Sequence, residues 1–394
     1  MSITRDEYFR LREKYASMNP NDITDAEMKE FIQYSEMLSR VPGASVLFGG
    51  DQFRQVNRMF YRIDEVEAVD RSKLVTVKSG INAIDGRLHG FIKGELTIVS
   101  GTNGSGKSTW LSQVAVEAAA QGFTSVIFSG ELPAPRVKEW LMLQAAGPDH
   151  LVKDGWAFHV ESSAAKRITQ WMRRKIFIYN NDNGTEIDRV MKALEYFALV
   201  LGADVIVLDN LMSMNLKSMG GDKYERQAEL TLRLSEFAKK RNVHIFFVCH
   251  PRKAMGFLRK DDISGTADIA NAADNVLIVH RVNNDFRSRT KEFFKWGDDA
   301  EMYRYSNAIE VCKNRDLGVQ DAFAGTYFEE CSKRFLNAAG EVKHYGWEPE
   351  KEEWTGGTPF DNGKHDTGSK TEESAAHEET GQAAFNEPAL EEIY

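Results

Sequence analysis

The stretch Leu96-Thr97-Ile98-Val99-Ser100-Gly101-Thr102-Asn103-Gly104-Ser105-Gly106-Lys107-Ser108 joins an apolar, strand-like run to a glycine-rich loop. Residues 101–108 fill every position of the phosphate-binding pattern G-x-x-x-x-G-K-[ST]. A helix-like stretch, residues 110–121, follows the loop. Because a strand before the loop and a helix after it separate a true phosphate-binding loop from a chance match, the stretch predicts a nucleoside triphosphate site.

The chemistry of this loop comes from its backbone and from two side chains. Glycines let several N–H groups point at phosphate oxygens, and the following helix N-terminus adds a partial positive charge. We expect Lys107 to reach the β- and γ-phosphates from a solvent-facing position, and the Ser108 hydroxyl to ligate Mg²⁺. The predicted nucleotide-binding residues are Gly101, Thr102, Asn103, Gly104, Ser105, Gly106, Lys107, Ser108 and Thr109.

The length of the chain is sufficient for one large α/β domain with extensions. The chain has 394 residues, and its cysteines, Cys249, Cys312 and Cys331, lack C-x-x-C spacing. The absence of this spacing argues against a zinc ribbon or a disulfide framework and fits a reducing compartment. No run approaches the ~18 apolar residues of a membrane span, and the first residues lack the apolar segment of a signal peptide. We therefore expect a cytoplasmic location and no membrane partner.

The net charge of −9 is concentrated at one end of the chain. Residues 355–394 hold nine Asp and Glu against two Lys, which leaves 48 basic and 50 acidic residues in the remainder. The tail is poor in large apolar side chains, so we expect it to be disordered. Its last ten residues, 385–394, are more apolar and are either a docking peptide or a solubilising end. The nearly neutral body is compatible with basic loops that bind a phosphate backbone.

The order of elements predicts three parts: an N-terminal extension with a helix from Asp25 to Arg40 (1–78), an ATPase domain (79–354) and the acidic tail (355–394). Apolar runs alternate with helical stretches in the middle part. This alternation predicts an α/β fold in which helices flank a mostly parallel sheet, with ligands at the carboxyl ends of its strands. The predicted strands are 95–100, 125–129, 175–179, 205–209, 244–249 and 276–280.

Three strand ends carry residues suited to hydrolysis of the γ-phosphate. Asp209 ends the strand 205–209 and is expected to hold Mg²⁺ together with Ser108. Glu131 follows the strand 125–129 and is suited to accept a proton from the attacking water, although a surface acid capping the next helix is the alternative. His250 follows the strand 244–249 and is either a sensor of the γ-phosphate or a structural histidine.

Several short motifs, in one order, carry a resemblance to a known family. The motifs are Ser129-Gly130-Glu131, Val207-Leu208-Asp209-Asn210-Leu211, His250-Pro251-Arg252-Lys253, Ser264-Gly265-Thr266-Ala267, Ala273-Asp274-Asn275-Val276-Leu277 and Lys313-Asn314-Arg315. With these motifs the chain resembles, over residues 79–335, the helicase domain of the DnaB superfamily within the RecA-like ATPases, in particular that of Twinkle and of the primase–helicases of short-tailed phages.

The resemblance implies a replicative DNA helicase. Such an enzyme is a homo-oligomeric ring, expected here to be a hexamer, that hydrolyses ATP, dTTP or another NTP with Mg²⁺ while it moves 5′ to 3′ on single-stranded DNA. Glu131 would be the catalytic base and His250 the γ-phosphate sensor. Lys313 and Arg315 would form a basic finger inserted into the neighbouring subunit's nucleotide, since phosphoryl transfer needs extra positive charge in the transition state. An exposed basic pair at a strand end is the alternative.

The resemblance also implies two DNA-contacting loops, about 212–224 and 252–260. Both are basic and contain glycine, which suits contact with a phosphate backbone, although a basic loop is more often simply solvated. The candidate DNA-binding residues are Lys217, Lys223, Arg252, Lys253, Arg259 and Lys260.

The extension of 78 residues is too short for a primase, so we expect any primase to be a separate chain. A primase, a polymerase or a single-strand-binding protein would then be a possible partner of the tail. The helix from Asp25 to Arg40 is expected to pack on an adjacent subunit. A phage replisome is the expected setting by analogy alone, which places the protein in the bacterial host cytoplasm. Two other classes stay open: a RadA- or KaiC-like RecA-fold ATPase, and a loader or packaging ATPase.

Overall fold

A computed structural model of the chain describes residues 66–210, 214–251, 257–263 and 267–349, together with residues 10, 14, 24–27, 29, 30, 61 and 63. By its contacts the chain divides into two units, Met1–Glu348 and Pro349–Tyr394. Of the second unit, only Pro349 is described. The predicted domain limits at 78 and 354 stay predictions.

A nine-stranded sheet organises the first unit, in the order β13-β12-β11-β10-β3-β9-β8-β4-β7. The strands from β10 to β7 in this order run parallel, whereas β11, β12 and β13 continue the sheet in antiparallel fashion. The strands are β1 (Thr76–Val77), β2 (Phe91–Ile92), β3 (Leu96–Ser100), β4 (Ser125–Ser129), β5 (Leu151–Asp154), β6 (Ala157–Val160), β7 (Ile176–Ile178), β8 (Val205–Asp209), β9 (His244–Val248), β10 (Asn275–Arg281), β11 (Asn307–Asn314), β12 (Ala322–Glu329) and β13 (Arg334–Leu336).

Helices cover both faces of this sheet. They are α1 (Asn82–Leu88), α2 (Lys107–Ala120), α3 (Ala134–Ala146), α4 (Ser162–Met172), α5 (Ile187–Leu199), α6 (Lys223–Arg241), α7 (Ala267–Ala272) and α8 (Asn284–Phe294). Side chains alternate between the two faces along each strand, so that Val99 belongs to one hydrophobic core and Ile98 to the other. Burial of both faces explains why the parallel strands are continuous apolar runs.

The predicted α/β fold with a mostly parallel sheet is confirmed, and each of the six predicted strands is present within a residue or two of its predicted limits. The antiparallel strands β11 to β13 and the hairpin β5–β6 were not predicted. Their sequences interrupt the apolar pattern: β11 carries the buried Glu310, and β12 contains Gly325. Glu310 is tolerated there because His280 on the neighbouring strand lies 2.9 Å from its carboxylate.

Part of the predicted N-terminal helix lies within the described residues. Residues 25–27, 29 and 30 are helical, and Thr24 caps this turn, because Glu27 N donates to Thr24 Oγ1 at 3.3 Å. Met28 and residues 31–40 lie outside the described part of the chain, as does the tail 355–394. Among the described helices, none combines the length and the apolar character needed to cross a membrane.

Candidate active site

The glycine-rich loop follows β3 at the carboxyl edge of the sheet and leads into α2. Gly104 and Gly106 have φ of 73° and 100°, which only glycine adopts readily. A Cβ on Gly106 would also lie 2.7 Å from the ring of Phe335 on β13. The strand β13 is fixed in turn by Gln113 of α2, whose side chain bonds both the N–H and the carbonyl of Phe335. The loop is therefore shaped by its own glycines and supported from the antiparallel side of the sheet.

Lys107 lies against the backbone of the loop. Its ammonium donates to the carbonyls of Gly101 and Thr102, each at 3.0 Å, and the side chain is almost fully buried. The expectation of a solvent-facing lysine was wrong, because the curled backbone presents two carbonyl acceptors to the ammonium. Burial lowers the pKa of Lys107, while the carboxylates of Asp209 and Glu131 act in the opposite direction.

Asp209, at the end of β8, and Ser108, at the start of α2, bring two oxygen ligands together. Burial raises the pKa of Asp209, and the nearby Ser108 hydroxyl acts in the opposite direction. Asp209 is 4% exposed, and the charge of Lys107 opposes the effect of burial on its pKa. A buried carboxylate beside a hydroxyl is a donor set that fits a hard divalent cation such as Mg²⁺.

Glu131 and His250 meet above the ends of β4 and β9, and Asn210 lies between them. The Asn210 amide nitrogen donates to Glu131 Oε1 and lies 2.7 Å from His250 Nε2. His250 Nε2 is in turn 3.2 Å from Glu131 Oε1. An Nε2 without a proton can accept the amide proton, whereas an Nε2 that carries a proton can donate to Glu131. The tautomer of His250 therefore decides which of the two contacts is a hydrogen bond.

Backbone contacts hold these strand ends in register. Gly130 N donates to the Asp209 carbonyl at 2.6 Å, which fixes the turn that carries Glu131 beside β8. The Ser100 hydroxyl donates to the Cys249 carbonyl at 2.7 Å, which ties the start of the loop to the residue before His250. The site is therefore positioned by adjacent parallel strands.

A single cavity of about 580 Å³ connects the loop with the strand ends. This volume lies within the range of about 300–1,000 Å³ for small-molecule sites. The residues that line it are Asn103, Gly104, Gly106, Lys107, Ser108, Thr109, Glu131, Leu132, Trp140, Asp209, His250 and Pro251. Four of the predicted catalytic residues, Lys107, Glu131, Asp209 and His250, thus face one cavity.

The two remaining catalytic candidates, Lys313 and Arg315, lie at the opposite edge of the sheet. Asn314, which lies between them, pairs with Asn275 at the amino end of β10. Asn275 pairs in turn with Thr97 in the amino half of β3. The five residues of β3, at about 3.3 Å each, separate this edge from the glycine-rich loop by roughly 15 Å. The structure does not bring Lys313 and Arg315 to the cavity of their own chain.

At that edge both side chains have partners within the chain. Lys313 Nζ donates to the carbonyls of Ala270, Asn271 and Ala273 at 2.8–3.1 Å, at the end of α7. Burial, then the charge of Arg315, lowers the pKa of Lys313. Arg315 donates to Asp274 at 2.8 Å and stays about half exposed.

The candidate DNA-binding residues fall into three groups. Lys217, Lys223 and Lys260 are exposed. Arg259 is bound within the chain: it contacts Asp321 at 3.1 Å and the buried Glu310 at 3.4 Å, and its guanidinium lies 4.8 Å from the Phe294 ring. Arg252 and Lys253 lie outside the described residues, as do residues 212 and 213 of the first loop.

Sequence reasoning assigned no role to Asn210 and did not single out Trp140. A signal for Asn210 was available, because it directly follows the strand-end Asp209 in a motif already quoted. Trp140 lies inside an amphipathic helix, where an aromatic residue ordinarily indicates core packing. Its place in the cavity follows only from how α3 packs on α2.

The chain is similar to several known proteins. Residues 64–256 match the family described as AAA domain. The chain is 24% identical over 217 residues to a DNA helicase/primase of Enterobacteria phage T3, a match that covers 51% of this chain and 38% of the relative. It is also 24% identical over 215 residues to the chloroplastic and mitochondrial Twinkle homolog protein of Arabidopsis thaliana, with 52% and 30% covered. The matched segment thus spans only about a third of the length of each relative.

Two solved structures share the fold. One, an isolated ATPase domain, superposes with a TM-score of 0.52 at 13% identity and covers 73% of this chain and 98% of that one. A DnaB-like replicative helicase, solved in a study of its interactions with primase, gives 0.53 at 13% identity, with 84% and 76% covered. These neighbours confirm the RecA-like fold, and with the sequence matches they support the resemblance to the DnaB superfamily.

Proposed function

We propose that this chain, with its RecA-like fold and its resemblance to the DnaB superfamily, is a replicative DNA helicase. It hydrolyses a nucleoside triphosphate to move along single-stranded DNA and separates a duplex at a fork. The observation that carries the proposal is the convergence of Lys107, Glu131, Asp209 and His250 on one cavity. The helicase and Twinkle relatives connect this ATPase site with DNA unwinding.

Each residue of the cavity has a proposed part in hydrolysis. The loop N–H groups and Lys107 bind the β- and γ-phosphates, and Lys107 exchanges its carbonyl partners for phosphate oxygens. Glu131 accepts the proton of the attacking water, and Asn210 and His250 orient its carboxylate. When the γ-phosphate leaves, His250 is free to change partner between Asn210 and Glu131. Because His250 begins the connection toward residues 251–263, its change of partner is suited to altering the second DNA loop.

Ser108 and Asp209 would hold a divalent cation, proposed to be Mg²⁺. Bound there, the metal would neutralise charge on the β- and γ-phosphate oxygens. The nucleotide is proposed to be ATP, dTTP or another NTP, since none of the contacts described above identifies a base.

The positions of Lys313 and Arg315 support an assembly in which each site needs two chains. These residues are separated from their own cavity by the length of β3. Arg315 is half exposed, so a neighbouring chain's nucleotide could replace its contact with Asp274. We therefore propose a homo-oligomeric ring, expected to be a hexamer, in which Lys313 and Arg315 supply positive charge to the adjacent subunit's γ-phosphate.

Single-stranded DNA is the proposed substrate of the ring's inner surface. The loop after β8 carries Lys217 and leads to Lys223 at the start of α6, and both are exposed at the carboxyl edge of the sheet. Primase, polymerase and single-strand-binding proteins are proposed as partners in other chains.

The experiment that tests this function is unwinding of a forked duplex in the presence of ATP or dTTP, with particles imaged in parallel. A helicase displaces the strand only with hydrolysable nucleotide and forms rings. Strand exchange without displacement would favour a RadA-like recombinase. Hydrolysis without either DNA reaction would favour a KaiC-like or loader ATPase.

A further inference from the structure

Trp140, on the second turn of α3, lines the nucleotide cavity beside the glycine-rich loop. Among the residues that line this cavity it is the one with a large, flat, apolar ring. The other apolar lining residues, Leu132 and Pro251, directly follow Glu131 and His250 and so belong to the hydrolytic end. None of the roles proposed above for hydrolysis is assigned to Trp140.

The packing of α3 fixes where Trp140 lies. Gln144, four residues later and therefore on the same helix face, donates to the Thr109 carbonyl at 2.8 Å and to the Lys333 carbonyl at 3.0 Å. This face of α3 thus lies on the first turn of α2 and on the turn between β12 and β13. The Lys333 ammonium lies 5.6 Å from the centre of the Trp140 ring.

The residues proposed for hydrolysis and Lys333, the neighbour of Trp140, lie on different sides of β3 in the sheet order. The residues proposed for hydrolysis, Glu131, Asp209 and His250, are at the ends of β4, β8 and β9, on one side of β3 in the sheet order. Lys333 is on the other side, between β12 and β13. A triphosphate bound to the loop with its γ-phosphate at Glu131 therefore directs its ribose and base away from that end, toward Trp140 and Lys333.

We propose that Trp140 is the residue on which the base of the bound nucleotide stacks. This inference rests on the proposed nucleotide site and adds the group that recognises the base. An indole offers a flat apolar face, and every base has a π-face, so stacking would bind purines and pyrimidines alike. Lys333, beside the same ring, is placed to contact the ribose or the α-phosphate.

The test separates the base from the phosphates by comparing a non-hydrolysable ATP analogue with inorganic tripolyphosphate, which has no base. Binding of both probes is measured by calorimetry at fixed Mg²⁺ for the full-length wild type, Trp140→Ala and Trp140→Phe. Trp156→Ala is the matched control, because Trp156 is 93% exposed on the β5–β6 hairpin, outside the cavity lining.

We expect Trp140→Ala to weaken the ATP analogue by about 5- to 150-fold, the range that loss of one stacked base corresponds to. The affinity of Trp140→Ala for tripolyphosphate should stay within about twofold of the wild-type affinity, because this probe has no base to stack and the glycine-rich loop is intact. Trp140→Phe should restore most of the affinity for the analogue, and Trp156→Ala should match wild type for both probes.

The proposal would be overturned if Trp140→Ala bound the ATP analogue as tightly as wild type does. It would also be overturned if the affinity for both probes fell equally, because Trp140 would then support the glycine-rich loop and not the base. A wild type that binds neither probe would instead refute the proposed nucleotide site itself. The two failures are therefore distinguishable.

Discussion

Arg315 donates a hydrogen bond of 2.8 Å to Asp274 at the amino edge of the sheet, on the side opposite the cavity that holds Lys107. Asp274 is itself held by the backbone of β3, since Leu96 N donates to Asp274 Oδ2 at 3.0 Å. One strand therefore carries a nucleotide-binding loop at its carboxyl end and positions a half-exposed arginine at its amino end. The proposed ring with shared active sites requires this separation of the nucleotide-binding loop and the arginine within each subunit.

Lys107→Ala should abolish nucleotide hydrolysis and unwinding while leaving the chain folded. Its ammonium neutralises phosphate charge, and the two carbonyls it leaves, of Gly101 and Thr102, can bind water. Steady-state hydrolysis, fork unwinding and circular dichroism measure the effect. Lys240→Ala, an exposed lysine near the end of α6, is the control. Normal turnover by Lys107→Ala would refute the assignment of the loop.

Lys217→Ala and Lys223→Ala should each weaken single-stranded DNA binding and flatten its salt dependence. Each lost phosphate contact should lower the slope of log K against log salt by about 0.7. Fluorescence anisotropy at several salt concentrations measures the slope, with Lys240→Ala again as control. A slope equal to that of wild type would show that these lysines are merely solvated.

Arg259→Ala should destabilise the fold, in contrast to its neighbour Lys260→Ala. Arg259 contacts the buried Glu310, which without this arginine would still keep its contact with His280. Because Arg259 is one-third exposed, we expect a loss of only about 1–2 kcal/mol in the free energy of unfolding. Urea denaturation measures it. If Arg259→Ala kept its stability but lost DNA binding, the contacts with Glu310 and Asp321 would be incidental.

Glu95 should make stability fall as pH rises. Burial raises the pKa of Glu95 from 4.5 to about 7; the charges of Asp274 and Asp316 act in the same direction, and a hydrogen bond from Asn275 and the charge of Arg315 oppose them. The folded state therefore holds a proton that the unfolded state releases near pH 4.5, so the stabilisation is complete below that pH and is lost up to about pH 7.

Glu95→Gln should remove this pH dependence, which amounts to at most about 3 kcal/mol. Urea denaturation at several pH values between 4.5 and 8 would measure the difference from wild type, with the exposed Glu236→Gln as control. A parallel pH profile for wild type and Glu95→Gln would show that Glu95 is ionised in the fold throughout.

The parts of the fold that show a regular apolar pattern in the sequence were predictable, whereas the parts that depend on tertiary contacts were not. The parallel strands are apolar on both faces, so β8, Val205–Asp209, was evident together with the acid at its end. By contrast, β11 contains Glu310, whose burial depends on His280 of another strand. The sequence also placed Lys107 in solvent, because the two carbonyls that bind it belong to a folded loop.

The location of the candidate site was predictable where a residue ends or closely follows a parallel strand, as with Asp209, Glu131 and His250, whose roles stay predictions. It was not predictable where a helix face is chosen by packing. Trp140 faces the cavity because Gln144, on the same face of α3, is hydrogen-bonded to Thr109 and to Lys333. The contact with Lys333 spans 189 residues of sequence, and no local pattern encodes it.

The central claim is that the cavity of one chain is completed by Arg315 of the next, and mixed assemblies test it most directly. Arg315→Ala should bind a non-hydrolysable nucleotide nearly as wild type does, while its turnover falls by about 10³ or more. Arg289→Ala, an exposed arginine on α8, is the matched control. Hydrolysis is then measured as Arg315→Ala is titrated into wild type, with subunit exchange verified independently. We expect activity to fall faster than the wild-type fraction, because each variant subunit disables its neighbour's site and stalls the ring. A strictly linear decline would contradict the claim and would confine Arg315 to its own chain.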